Sequence, residues 1–158
     1  MKDNELITWS SKLSCGIKLI DNQHKELVAL VNDMFNHVTG DYSQEAEYFS
    51  QIIHKAVRYI KVHFATEERI MLATKFEGYT EHKKKHESFI LTVVESINDF
   101  KYKRRFSLFY FTKFLKDWVL THIAVMDKKY FNYLRYIASR KTNGKLSITL
   151  ADVNRKVS

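Results

Sequence analysis

The chain has no proline, only four glycines and one cysteine in 158 residues. Scarce glycine and absent proline exclude a fold made of many tight turns, such as a sandwich or small barrel, and favour long helices. A single cysteine, Cys15, excludes an intrachain disulfide, and a core of this size needs none. No apolar run reaches about 18 residues, and Met1 to Glu5 lacks the apolar segment of a secretory signal. The sequence therefore predicts a cytoplasmic protein without a membrane span.

The net charge of +8 is unevenly spread. Residues 1–79 carry 9 Lys/Arg against 11 Asp/Glu, and residues 80–158 carry 17 against 7. The excess falls in short clusters, Lys83-Lys84-Lys85, Lys101 to Arg105, Lys128-Lys129 and the stretch beyond Arg140. Clusters at helix ends and loops read as solvated faces, so nucleic acid and membrane surfaces are not expected partners. The basic second half and the tail are instead the candidate surfaces for a protein partner.

What the chain does have is helical periodicity. Residues 1–20 read as an irregular arm, and Asp21 is the expected N-cap of a first helix running to about Val38. Its stripe is His24, Leu27, Val31, Met34 and Val38. Asp41 with Gln44 resembles a capping box for a second helix, whose stripe is Phe49, Ile53, Ala56, Ile60, His63, Glu67 and Ile70. Gly78 marks a break, and Thr80 is the expected cap of a third helix carrying His82, His86, Phe89, Val93, Ile97 and Phe100. Lys101 to Arg105 reads as a polar linker. Ser107 then caps a fourth helix bearing Leu108, Phe111, Leu115, Trp118 and His122. Long amphipathic helices with short connections predict an all-α, antiparallel up-down four-helix bundle over residues 1–138. Residues 139–158 form a short basic C-terminal extension whose structure the sequence leaves open.

Polar residues on the apolar stripes carry the functional signal. Five of seven histidines (His24, His63, His82, His86, His122) and Glu67 occupy interior positions. A buried carboxylate costs several kcal/mol unless something positive compensates it, and these stripes offer no Lys or Arg. Bound metal satisfies imidazoles and carboxylates together. His63/Glu67 and His82/His86 are i, i+4 pairs on single helix faces. Asp127 lies five residues after His122, about 140° around an α-helix, so it is expected to reach in from the flank. Five nitrogens and two carboxylates exceed one tetrahedral zinc and suit two octahedral irons with an open position. His37 and His54 read as exposed or partly exposed residues away from this layer, Glu68 as solvent-facing in preference to an outer partner of the ligands, and Cys15 as an unreactive small apolar residue or partly exposed thiol in preference to a redox group.

The runs Ile20-Asp21-Asn22-Gln23-His24-Lys25, His63-Phe64-Ala65-Thr66-Glu67-Glu68 and Trp118-Val119-Leu120-Thr121-His122-Ile123 to Asp127, with the pair His82/His86, resemble the bacterial hemerythrins over roughly residues 6–138. The resemblance implies a non-haem di-iron centre, oxo- or hydroxo-bridged, that binds dioxygen reversibly as a carrier or store rather than as an enzyme. It implies that His82, His86 and His122 hold one iron, His24 and His63 the other, and Glu67 and Asp127 bridge them. It makes Trp118, Val119 and Phe64 walls of a dry oxygen pocket. An oxygen or redox sensor acting through a partner is the alternative. A di-iron oxidase is a further rival, but such sites use Glu-x-x-His pairs, and the chain contains none. One departure is the absent proline: Phe76-Glu77 stands where the family often has an aromatic-proline step, which puts the loop shape before His82 in question.

Overall fold

The computed structural model describes residues 5–103 and 106–141, and among these the chain is helical without a strand. Helix α1 spans Lys18–Asn36, α2 Tyr42–Thr74, α3 Tyr79–Asn98, α4 Leu108–Thr121 and α5 Lys128–Lys141. A π-helical turn, Asp99–Lys103, extends α3, and a second, His122–Asp127, fuses α4 and α5 into one rod. The rods are therefore four, joined as an up-down bundle. None of the described helices is long and apolar enough to cross a membrane.

The apolar stripes meet in two clusters. One gathers Leu27, Val31, Met34, Phe49, Ile53, Phe89, Phe111 and Leu115, and the other Cys15, Ile20, Ile70, Met71, Tyr130, Phe131 and Leu134. Along every rod the histidines and carboxylates fall between the two, so the polar layer has a dry lid at each end. The first cluster closes on aromatic rings: Phe49 meets Phe111 edge-on at 5.1 Å and Phe106 at 4.1 Å. The arm is pinned as well, since the Ile7 N–H donates to Asn32 Oδ1 and Asn32 Nδ2 donates back to the Ile7 carbonyl.

Helix ends differ from expectation in instructive ways. Helix α1 starts at Lys18, so the arm ends at residue 17 and Asp21 lies inside the first turn rather than at the cap. Its carboxylate reaches back to accept from the Cys15 and Gly16 N–H groups and the Ser14 hydroxyl, tying the arm to the helix. Asp41 does cap α2, accepting from the Gln44 N–H. The reciprocal bond comes from Glu45, not Gln44: its Oε1 accepts from the Thr39 and Gly40 N–H groups, an arrangement that holds the carboxylate nearly buried. Thr80 is no cap either, because α3 begins at Tyr79 after Gly78. Of the expected linker Lys101 to Arg105, residues 101–103 belong to the π-turn Asp99–Lys103, and residues 104–105 lie outside the described residues. At the far end, α5 continues through residues 139–141, and the rest of the extension, 142–158, lies outside the described residues.

Helix α2 ends at Thr74, four residues before Gly78, on a lysine. Lys75 adopts the left-handed conformation (φ 57°, ψ 44°), and the Phe76 N–H closes the turn on the Met71 carbonyl. The Tyr133 hydroxyl donates to the Thr74 carbonyl at 2.6 Å, with the Lys75 carbonyl 3.3 Å away. A side chain in this region pays a steric cost that glycine avoids. Lys75→Gly should raise unfolding free energy by about 0.5–1 kcal/mol, the relieved strain exceeding the added unfolded-state entropy. Chemical denaturation of the metal-matched pair measures it, and a loss of stability would show that the turn needs the lysine side chain.

Candidate metal centre

Four rods deliver seven side chains to one layer. His24 comes from α1, His63 and Glu67 from α2, His82 and His86 from α3, and His122 and Asp127 from the π-turn. All seven are at most 2% exposed. They form two groups able to hold a cation, Glu67/His82/His86/His122 and His24/His63/Glu67/Asp127, with Glu67 common to both.

The carboxylates span the groups. Glu67 Oε2 lies 3.5, 3.3 and 3.3 Å from Nε2 of His82, His86 and His122, and 3.7 Å from that of His63. Its Oε1 faces His24 Nε2 at 3.8 Å. Asp127 sends Oδ1 to within 3.3 and 3.1 Å of Nε2 of His82 and His122, and Oδ2 to within 3.1 Å of His24 Nε2. Counting both carboxylates in each, one group has three imidazoles and the other two.

Asp127 does not enter from the flank, as α-helical geometry would require. The π-turn replaces i→i+4 pairing with i→i+5, so residues five apart stand as residues four apart do in an α-helix. Asp127 thus shares a face with His122. The signal was in the spacing: a step of five in a stripe that elsewhere steps by three and four.

Most of these atoms are close without being hydrogen-bonded. Nε2 of His24, His63 and His82, both Asp127 oxygens and Glu67 Oε1 have no hydrogen-bond partner among the described residues. Nε2 of His86 and His122 face each other at 3.3 Å. Buried polar atoms converging without mutual hydrogen bonds would be costly as a bare core. They fit cations seated between them, and imidazole with carboxylate is a donor set suited to iron.

Two outer partners orient the rings. His63 Nδ1 donates to Gln23 Oε1 at 3.2 Å, Gln23 Nε2 donates to Thr66 Oγ1, and the Thr66 hydroxyl donates to the Val62 carbonyl. His86 Nδ1 donates to Glu68 Oε1 at 3.0 Å, so Glu68 is not the solvent-facing residue its sequence position suggested. Each bond places the proton on Nδ1 and leaves Nε2 bare for a metal. Gln23, one residue before His24, has no role that its position in the sequence reveals, because that role depends on α1 lying against α2.

The electrostatics are those of a site awaiting positive charge. Burial alone pushes Glu67 upward, but the surrounding imidazoles, His63 foremost, hold it well below the usual carboxylate range. Burial and then the Glu67 charge raise Asp127. Burial lowers His24, yet Asp127 and Glu67 outweigh it and push the ring up to about 9. Burial takes His63 down to about 3.

Phe64 stacks on His86 at 3.7 Å and Trp118 on His122 at 4.2 Å, while Val119 is buried in the larger apolar cluster. His54 is exposed, and exposed His37 stacks on Tyr48, both away from the layer. Cys15 sits buried in the other cluster, its thiol pushed far up mainly by burial, which keeps it protonated.

The family model for the hemerythrin HHE cation binding domain matches residues 15–134. A bacteriohemerythrin of Pseudomonas aeruginosa is 31% identical over 144 residues, 88% of each chain. One of Stenotrophomonas maltophilia is 31% identical over 135 residues, 82% of each. One of Clostridium acetobutylicum is 25% identical over 129 residues, 80% of this chain and all of the relative.

Gln23→Ala and Glu68→Ala should each weaken metal binding about 10- to 100-fold while leaving helix content unchanged. His54→Ala should leave affinity at the parent value. Competition titration against a metal indicator measures all three; an unchanged affinity in both outer variants would reduce those bonds to packing.

Proposed function

The chain belongs to the hemerythrin HHE cation-binding family, and we propose that it binds dioxygen reversibly at a pair of non-haem irons, with no net reaction. The observation that carries this reading is the unequal division of imidazoles, three against two, around two shared carboxylates. His82, His86 and His122 with both carboxylates would hold one iron. His24 and His63 with the same carboxylates would hold the second, one donor short, which leaves room for a small ligand. A pair of ferrous irons held by these residues would supply the electrons that reversible dioxygen binding requires.

The protein's part is to keep that chemistry reversible. Gln23 and Glu68 hold two imidazoles in the ligating tautomer. Phe64 and Trp118 lie flat on His86 and His122, the rings of the three-imidazole group, and with buried Val119 they would form an apolar wall that keeps water and protons from the centre. A predominance of imidazole over carboxylate leaves the site less anionic than Glu-x-x-His oxidase sites, which favours the ferrous state and release over oxidation of a substrate. The role we propose for this binding is carriage or storage.

Purified protein should contain two irons per chain, and chelation should lower its melting temperature because ligation of the folded state is folding free energy. An optical band formed in air should vanish under vacuum and return on readmitting air. One zinc per chain, or a band that never reverses, would remove the carrier reading. Val119→Ala should speed conversion to the ferric form at unchanged iron content and cost about 0.5–2 kcal/mol in stability. An unchanged lifetime of the aerobic form would make Val119 ordinary core.

A further inference from the structure

The seven residues of the centre are sealed from solvent, yet a metal has to reach them. A small surface cavity of about 40 Å³, lined by Phe76, Gly78, Glu81, His82, Met126 and Lys129, touches the layer at His82. We propose that this cavity is the port through which divalent cations enter and leave the centre, an inference that rests on the metal reading above.

Three features support it. First, His82 stands between the cavity and the carboxylates: it lines the cavity, and its Nε2 lies 3.3 Å from Asp127 and 3.5 Å from Glu67. Second, its ring is untethered. His63 and His86 are held at Nδ1 by Gln23 and Glu68, whereas Nδ1 of His82, like that of His24 and His122, has no partner among the described residues; of these three rings it is His82 that lines the cavity. Turning that ring toward the cavity and back breaks no hydrogen bond at Nδ1; only the edge-on packing against His86, His122 and Tyr130 has to give for it to receive a cation outside and deliver it inside. Third, the neighbour of His82 in sequence is Glu81, an exposed carboxylate on the cavity wall that attracts cations to the mouth.

The dimensions set the rate. About 40 Å³ takes a few waters but not a divalent ion with its whole hydration shell, so an entering ion must exchange that shell for protein donors, first Glu81 and then His82. Phe76 is a fixed wall: a Cβ on Gly78 would come within 2.6 Å of its ring, and its other side packs on Tyr133 at 5.3 Å. Met126, flexible and half-buried, is the movable side. Lys129 opposes Glu81 and slows entry.

Stopped-flow mixing of metal-free protein with Co²⁺, read by its ligand-field absorption, and release to excess EDTA test the port without reference to oxygen. Glu81→Gln should slow uptake about three- to tenfold and Lys129→Gln should speed it by a similar factor, both differences shrinking with salt. Met126→Phe should slow uptake and release by the same factor and Met126→Ala should speed both, leaving affinity and stoichiometry at the parent values. The exposed charge variants keep the test valid if a Met126 substitution fails to fold. Uptake rates indifferent to all four substitutions would overturn the port while the metal reading stands. Met126 variants that change release alone, and with it affinity, would also overturn it, by making that residue part of the ligand scaffold. A parent chain that binds no Co²⁺ would overturn the metal reading and the port together.

Discussion

Two carboxylates with no solvent exposure, Glu67 and Asp127, sit among five imidazoles and no lysine or arginine. Burying even one such anion is affordable only where positive charge is concentrated beside it. The need for that charge organises the bundle: every rod must contribute a side chain at one height, and dry packing must close above and below. Cations would meet the need more fully than imidazolium protons, because a proton placed on a ring spends its Nε2 lone pair, whereas a metal uses it.

The neighbours of the layer act on orientation more than on charge. Gln23 and Glu68 each accept an Nδ1 proton, and flat aromatic faces limit how His86 and His122 can tilt. His86, constrained in both ways, and His63 and His122, each constrained in one, lose less freedom when a metal arrives, and preorganisation of this kind improves affinity without any added ligand. His24, His82 and His122 lack such a restraint at Nδ1, and of the three it is His82 that also borders a surface cavity.

Much of this was legible in the sequence because helical period converts spacing directly into placement. The stripes located the four rods, and polar residues on an apolar stripe announced themselves by being in the wrong solvent. What was hidden depends on relations between rods or on local departures from α geometry. Nothing in a linear reading tells that Glu68 faces His86, since one residue of rotation separates a solvent position from an inter-helix one. The lysine-terminated turn at Lys75 was masked by Gly78, the conventional breaker nearby. The cap assigned to Asp21 failed for a related reason: an aspartate that reaches back from within a first turn and one that stands at the cap look alike in sequence.

The π-turn of His122–Asp127 has a reach beyond the metal layer. It amounts to one extra residue threaded into a continuous rod, and an extra residue advances everything after it by about 100°. The second half of the rod is therefore phased independently of the first. Tyr130 and Leu134 face the core, and Tyr133 reaches the end of α2, only in this shifted frame. Removing the insertion would not merely withdraw Asp127. It would rotate the closing lid of the bundle out of register, so the geometry of the metal layer and the closure of that end of the protein are inherited together.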